Sequence, residues 1–252
     1  MPLGGVLLIV GLALLAAAGT FVVEWLLPAW RRQPINEVVG FVYAVVGVAY
    51  SVLLGLVVIN GLTTLDTAEA NVFAETNAVQ QLYWYGSSLP QPAHSQIEGL
   101  AKQYDTVVIN SEWSLMTQKK TSPQAWTLYN DLREVILAQN PTTEAGVARY
   151  ENALEAAGQM GDARRQRIDE STKGIPELLW AALILGGFVT VGFAFLFGIR
   201  STVAHAVIMF FLTLLVAALL LVVFEFNEPF AGVVRVTPQA FQLAVARMAT
   251  IP

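Results

Sequence analysis

Hydrophobic positions in this chain come in long blocks, separated by stretches where they recur every three or four residues. Residues 38–59 (VVGFVYAVVGVAYSVLLGLVVI) run for 22 positions without an acidic or basic side chain, no Asp, Glu, Lys, Arg or His. At 1.5 Å rise per residue, a helix of about 20 residues crosses a hydrocarbon core of roughly 30 Å. This block therefore predicts a membrane-spanning helix. No proline follows it, and apolar positions continue at helical spacing through Leu62, Leu65, Val72, Thr76, Val79 and Tyr83. The pattern predicts one unbroken helix that leaves the lipid and runs on into water. Within the span, Gly40, Ala44, Gly47, Ser51 and Gly55 put small residues on one face, while Tyr43, Val46, Tyr50, Leu53 and Val57 lie on another. Small faces let helix backbones approach closely in lipid. Such a helix either packs within its own subunit or, repeated around an axis, lines a conduit. In the second case Tyr43, Val46, Tyr50, Leu53 and Val57 are the candidate pore-lining residues.

Three further blocks are long enough to cross. Residues 3–27 form the first, with no basic leader and no small-x-small cleavage pattern, so the reading is a retained anchor. Glu24, Trp25, Trp30, Arg31 and Arg32 follow as an interfacial collar, and Pro28 and Pro34 break the helix there. The short connection predicts an antiparallel hairpin with the 38–60 span. Residues 178–199 and 203–224 predict a second hairpin, closed tightly around Arg200 and Ser201. Gly186, Thr190, Ala194 and Gly198 make an extended small-residue ridge on the third span.

Residues 61–175 read as amphipathic helices with no alternating strand pattern. After the turn-forming run 86–92, Ile97, Leu100, Tyr104, Val107 and Leu115 keep helical spacing; Ser122-Pro123 starts another helix with Trp126, Tyr129, Leu132 and Ile136 inward. A last helix runs from Thr143 past Val147, Tyr150, Leu154 and Ile168, and Gly174-Ile175-Pro176 marks the return to the membrane. The expected organisation is a first transmembrane hairpin over 1–60, a helical soluble domain over 61–175, a second hairpin over 176–225 and a tail over 226–252. The tail keeps apolar positions at Val233, Val234, Val236, Phe241, Leu243 and Val245, so it is expected to pack back on the body. The fold class is an all-α membrane protein.

Composition agrees: 55% of the 252 residues are hydrophobic and only 13% are charged, too apolar for an ordinary soluble domain. The formal charge of −5 arises in residues 61–175, which hold 14 of the 19 acids and 9 of the 14 Lys and Arg. The chain has no cysteine, which excludes disulfides, thiolate metal sites and thiol catalysis. No basic tract interleaved with aromatics supports nucleic-acid binding. No nucleophile elbow, zincin helix or P-loop is present, so no catalytic residue is named and no enzyme is expected.

The charged residues near the spans carry alternative readings. Arg31, Arg32 and Arg200 fall on the face with the tight connections; in a symmetric oligomer they form basic rings that concentrate anions at a pore mouth, or they anchor to lipid phosphates. On the opposite face Asp66, Glu69, Glu225 and Glu228 lie just outside the spans. As oxygen ligands they suit Ca²⁺, the one cofactor considered, or they simply end the spans in water. Glu24 either pairs with Arg31 or Arg32 or reaches interfacial water. His94 reads as a solvated or capping residue. His205 reads as a polar interface residue beside Arg200, or as a proton-sensing gate. The three arginines in short connections place the helical domain outside the cell by the positive-inside rule; Arg164, Arg165, Arg167 and Lys173, close to the third span, argue the reverse.

The 40–60 span, Glu112-Trp113, Ser122-Pro123, the run ARRQRIDESTKGIPELLW over 163–180 and EPFAGVVRVTPQAF over 228–241 together resemble a bacterial family of four-span membrane proteins described as bestrophin-like. The resemblance covers nearly the whole chain and places it in a bacterial plasma membrane. By likeness to bestrophins it implies a homo-oligomeric, pentameric anion channel, with the second span lining the pore and the helices between spans forming a soluble vestibule on the cytoplasmic side. Asn227 stands where the family more often has aspartate, and Trp84 where a basic residue is common; the first departure counts against a cation site at the end of the fourth span. The rival function is a membrane-anchored sensor or scaffold whose helical domain binds a partner or ligand without conduction.

Overall fold

The structure is a computed structural model, and residues 3–250 are described. It divides into two compact units, one comprising residues up to Leu62 together with Ile175–Asn227, the other Thr63–Gly174 together with the chain from Glu228 onward. No strand occurs among the described residues.

The membrane unit is built from four helices long and apolar enough to cross a bilayer. Helix α1 spans Leu3–Leu26. A short turn of helix, α2 (Ala29–Arg32), follows Pro28 and leads into α3, Asn36–Ser87. Helix α3 is 52 residues long without interruption, about 78 Å at the standard rise. The absence of any breaker after Ile59 is what allows it to pass from the membrane unit into the second unit at Leu62. Numbering onward in chain order, α8 (Glu177–Ala194) and α9 (Thr202–Glu225) complete this unit.

Helix α1 packs along α9, and α8 also packs on α9. One expectation changes here. The third span ends as a helix at Ala194 rather than Ile199. Its last carbonyls leave the helical ladder because other donors take them: Arg32 Nη1 donates to the carbonyls of Phe195 (2.6 Å) and Phe197 (2.8 Å), and Asn36 pairs with the Gly198 backbone in both directions.

The second unit is a helical bundle. It contains the rest of α3, then α4 (Ala93–Val107), a π-helical turn at Val108–Glu112, and the short α5 (Trp113–Met116). Helices α6 (Pro123–Leu137) and α7 (Glu144–Thr172) follow. The expected inward faces are found: Ile97, Tyr104, Leu132, Ile136, Val72, Val79 and Leu82 form one buried core. Ser122 occupies the position before Pro123 but its hydroxyl makes no capping bond, whereas Thr143 does cap α7 by accepting from Gly146 N (3.1 Å). The tail folds as α10 (Gln239–Met248), a helix the sequence reading did not name, which packs on α4 and the π turn. Its buried residues Phe241, Ala244 and Met248 recur at three and four, the spacing of a one-sided helix.

Candidate functional site

Within the membrane unit, α3 sets its bulky residues against its own subunit. Tyr50, Leu54 and Val57 are 4–6% exposed and share a cluster with Leu183, Val216 and Val223 of α8 and α9. Tyr50 occupies space left by two glycines: a Cβ on Gly186 would lie 2.5 Å from its ring, and one on Gly187 would lie 3.1 Å from its hydroxyl. Leu53 is half-buried against the same cluster, and Tyr43 stacks edge-on to Phe197 at 5.6 Å. Val46 is half-buried.

Tyr50 and Val57, two of the pore-lining candidates from sequence, are thus enclosed between α3, α8 and α9 of one chain. Phe41, Val45, Val48, Val52, Leu56 and Ile59 are exposed instead. The opposite face won the interior because the glycine pair on α8 makes a slot for an aromatic ring, and close packing is the driving force available in lipid. The ridge on the third span had been visible; that Tyr50 fills it had not.

At the tight connections, the three arginines divide. Arg32 is 4% exposed and is consumed by Glu24, to which it is paired, and by the two carbonyls at the end of α8. Glu24 also accepts from Ala29 N at 2.7 Å. Arg32 is therefore a clamp between two turns rather than a free charge, and of the alternatives open for Glu24 the structure shows pairing with Arg32. Arg31, stacked on Trp30 at 4.9 Å, and Arg200 are exposed. His205 is 1% exposed with Nε2 3.2 Å from the Ala194 carbonyl, at the end of α8.

The acids proposed for Ca²⁺ are not gathered. No group of three or more His, Cys, Asp or Glu able to hold a metal occurs among the described residues. Asp66 and Glu69 are exposed, and Glu228 pairs with Lys119 at 3.1 Å. Asn227 caps the return to the membrane by accepting from Ile175 N at 2.7 Å.

The helical unit contains a second constellation that the sequence reading missed. Arg167 of α7 donates from Nε (2.6 Å) and Nη2 (2.8 Å) to Glu75 of α3, and lies 3.2 Å from Glu112. Arg164 donates to Glu112 at 2.7 Å and to the Tyr104 hydroxyl at 3.1 Å, and the Tyr104 hydroxyl in turn donates to Glu75. All five side chains are fully buried. Aromatic faces enclose the cations: Trp126 lies 4.7 Å from Arg164, and Trp113 and Phe241 lie 5.6 and 5.7 Å from Arg167. Burial opposes the charge on Arg167, but Glu75, Glu112 and Tyr104 together outweigh it and its pKa is raised. Burial, and then Glu75, push the Tyr104 hydroxyl well above its usual value. The arrangement has two cations for two carboxylates and no nucleophile or open cleft, so its chemistry is that of a clamp.

Apart from Glu75 and Tyr104, these residues come from the segments that carry the family resemblance. Glu112-Trp113, the Ser122 carbonyl (3.4 Å from Arg164), Arg164 and Arg167 of the 163–180 run, and Phe230 and Phe241 of the 228–241 run all converge here; Phe230 and Phe241 both stack edge-on to Trp113. Arg164 and Arg167 could have been found from their spacing, since they continue the inward stripe Ala153, Ala156, Ala157 and Met160 of α7.

A family model for the bestrophin-like domain matches residues 10–241. Among solved structures, a point variant of a bacterial bestrophin homologue from Klebsiella pneumoniae is similar with a TM-score of 0.67 at 13% identity, over 98% of this chain and 99% of that one. The zinc-phased structure of the homologue from that organism gives a TM-score of 0.64 at 12% identity over the same shares. A point variant described as a membrane protein is similar at 0.65 and 15% identity over 96% of each chain. No curated protein sequence matches.

Proposed function

The chain belongs to the bestrophin-like family, and from that premise we propose that it is an oligomeric ion channel, permeable to anions, whose path is lined by α3 of each copy. The observation that carries this reading is the 22-residue stretch of α3 without an Asp, Glu, Lys, Arg or His, exposed along the face opposite Tyr50 at Phe41, Val48, Val52 and Ile59. In a multi-pass membrane protein such a face meets lipid, a neighbouring copy or a water-filled axis. An apolar ring there gates by dewetting. Small residues at Ala44, Ser51 and Gly55 on the exposed surface let neighbouring helices approach around that axis. Arg31 and Arg200, the exposed cations at the tight connections, supply the positive potential that draws anions to one mouth. Five copies, as the family likeness implies, are the expected stoichiometry, with the bacterial plasma membrane as the location.

Chloride efflux from liposomes tests this. Purified protein, cross-linked to count subunits, is reconstituted into chloride-loaded vesicles. Flux above that of empty vesicles, reduced when Arg31 and Arg200 are replaced by Gln, is the expected result. An oligomer that gives no flux, or a monomer, overturns the channel reading and leaves a membrane-anchored scaffold.

A further inference from the structure

Asp105 is the third acid of the buried cluster and the one without a counter-charge. It sits on α4, three residues before the π turn, and is fully buried. Neither carboxylate oxygen has a hydrogen-bond partner. Glu75 and Glu112 already match Arg167 and Arg164 one for one, so an ionised Asp105 leaves the interior with one uncompensated negative charge. Isolated ionised carboxylates are strongly disfavoured away from water, and such groups take up a proton instead.

The charged groups around it reinforce this. From α3 it faces Glu75, a like charge. On α6, Asp131, Arg133 and Glu134 are all exposed; on α10, Arg247 is exposed and stacks on Trp84. On α4 itself Lys102 lies over the Tyr83 ring, and Glu112 of the π turn is held by Arg164. From α7, Arg164 and Arg167 are committed to Glu112 and Glu75. Burial first, and Glu75 second, raise the Asp105 pKa well above its ordinary value.

We propose that Asp105 is a proton-binding site and that loss of its proton loosens α4 and the adjoining π turn, making the helical unit a proton-linked switch. Once ionised, the carboxylate gains hydration only if α4 moves outward. That movement carries the π turn, whose last residue, Glu112, holds Arg164. The coupling has a definite sign. The unfolded chain releases this proton near pH 4, while the compact state keeps it to higher pH. Between those two values the compact state binds the extra proton, so its advantage is complete below about pH 4 and is lost as pH rises towards the folded value.

The test compares full-length protein with Asp105→Asn, which keeps the shape and cannot ionise, in detergent from pH 5 to pH 9. Thermal midpoints and amide exchange over residues 100–112 are measured for both. The folding constant of the parent relative to the variant is expected to fall by up to about tenfold per pH unit, with exchange over 100–112 rising with pH in the parent alone. Parallel stability profiles and equal exchange overturn the proposal. If the Asn variant does not assemble, the parent is compared with Asp105→Glu by infrared difference spectroscopy across the same range. A protonated-carboxyl band that titrates in the parent and shifts in the Glu variant supports the site; no such band in the parent refutes it.

Discussion

Arg167 and Glu75 face each other across 92 positions of sequence through two parallel hydrogen bonds of 2.6 and 2.8 Å, both side chains fully buried. A buried pair of this kind punishes the loss of one partner far more than the loss of both. Arg167→Met strands Glu75, and a lone buried charge costs about 3–5 kcal/mol. Replacing both, with Glu75→Leu added, is expected to recover much of that loss, as thermal unfolding of the single and double variants in detergent will measure. Lys at 167 is not expected to substitute, because it lacks the planar fork that donates twice.

The C-terminal segment is part of the same core. Phe241 is fully buried, lies against Trp113 and covers Arg167. Phe241→Ala removes that cover and leaves a cavity, a change that costs about 3–5 kcal/mol. Thermal denaturation and limited proteolysis of the 228–250 segment are the measurements. An unchanged midpoint would show that the tail only leans on the bundle.

What the sequence made legible follows from the range of the forces involved. The length of α3, the positions of the four spans and the inward faces of α4, α6 and α7 depend on local periodicity, so each could be read from its own stretch. The ion cluster depends on pairs 52 and 92 residues apart. Read singly, Glu75, Glu112, Arg164 and Arg167 look like four of the solvated charges of an acidic helical domain. The direction of Tyr50 was hidden for the same reason: its slot is made by Gly186 and Gly187, more than 130 positions away, and periodicity tells which residues share a face but not which face turns inward.

Gly198 tests the clamp at the tight connections. A Cβ there would lie 2.5 Å from Gln33 N and 2.7 Å from the Ala29 carbonyl, both backbone atoms that cannot rotate aside. Gly198→Ala is expected to lower stability by about 1–3 kcal/mol, the usual cost of overpacking. Arg32→Met acts on the same junction differently, leaving Glu24 Oε2 and the carbonyls of Phe195 and Phe197 without their arginine donor. Thermal midpoints of the two single variants and their combination distinguish one junction from two independent sites. In one junction the combined loss falls short of the sum.

Opposite faces of α3 are expected to separate stability from conduction. Tyr50 is enclosed and its hydroxyl has no hydrogen-bond partner, so Tyr50→Phe removes an unsatisfied polar atom and should leave stability unchanged or slightly raised. Gly186→Ala, which places a Cβ 2.5 Å from the Tyr50 ring, should destabilise, and a smaller residue at 50 should relieve it. Both residues are enclosed within one chain, so on the proposed channel reading any assembled protein carrying these changes is expected to keep its chloride flux per oligomer. Val48 and Val52 are 66% and 57% exposed on the other side. Val48→Asn or Val52→Asn should leave stability within about 0.5 kcal/mol of the parent, as surface changes do, while wetting an apolar constriction and raising flux. If flux instead follows Tyr50 and ignores Val48 and Val52, α3 does not line the path with the face assigned to it.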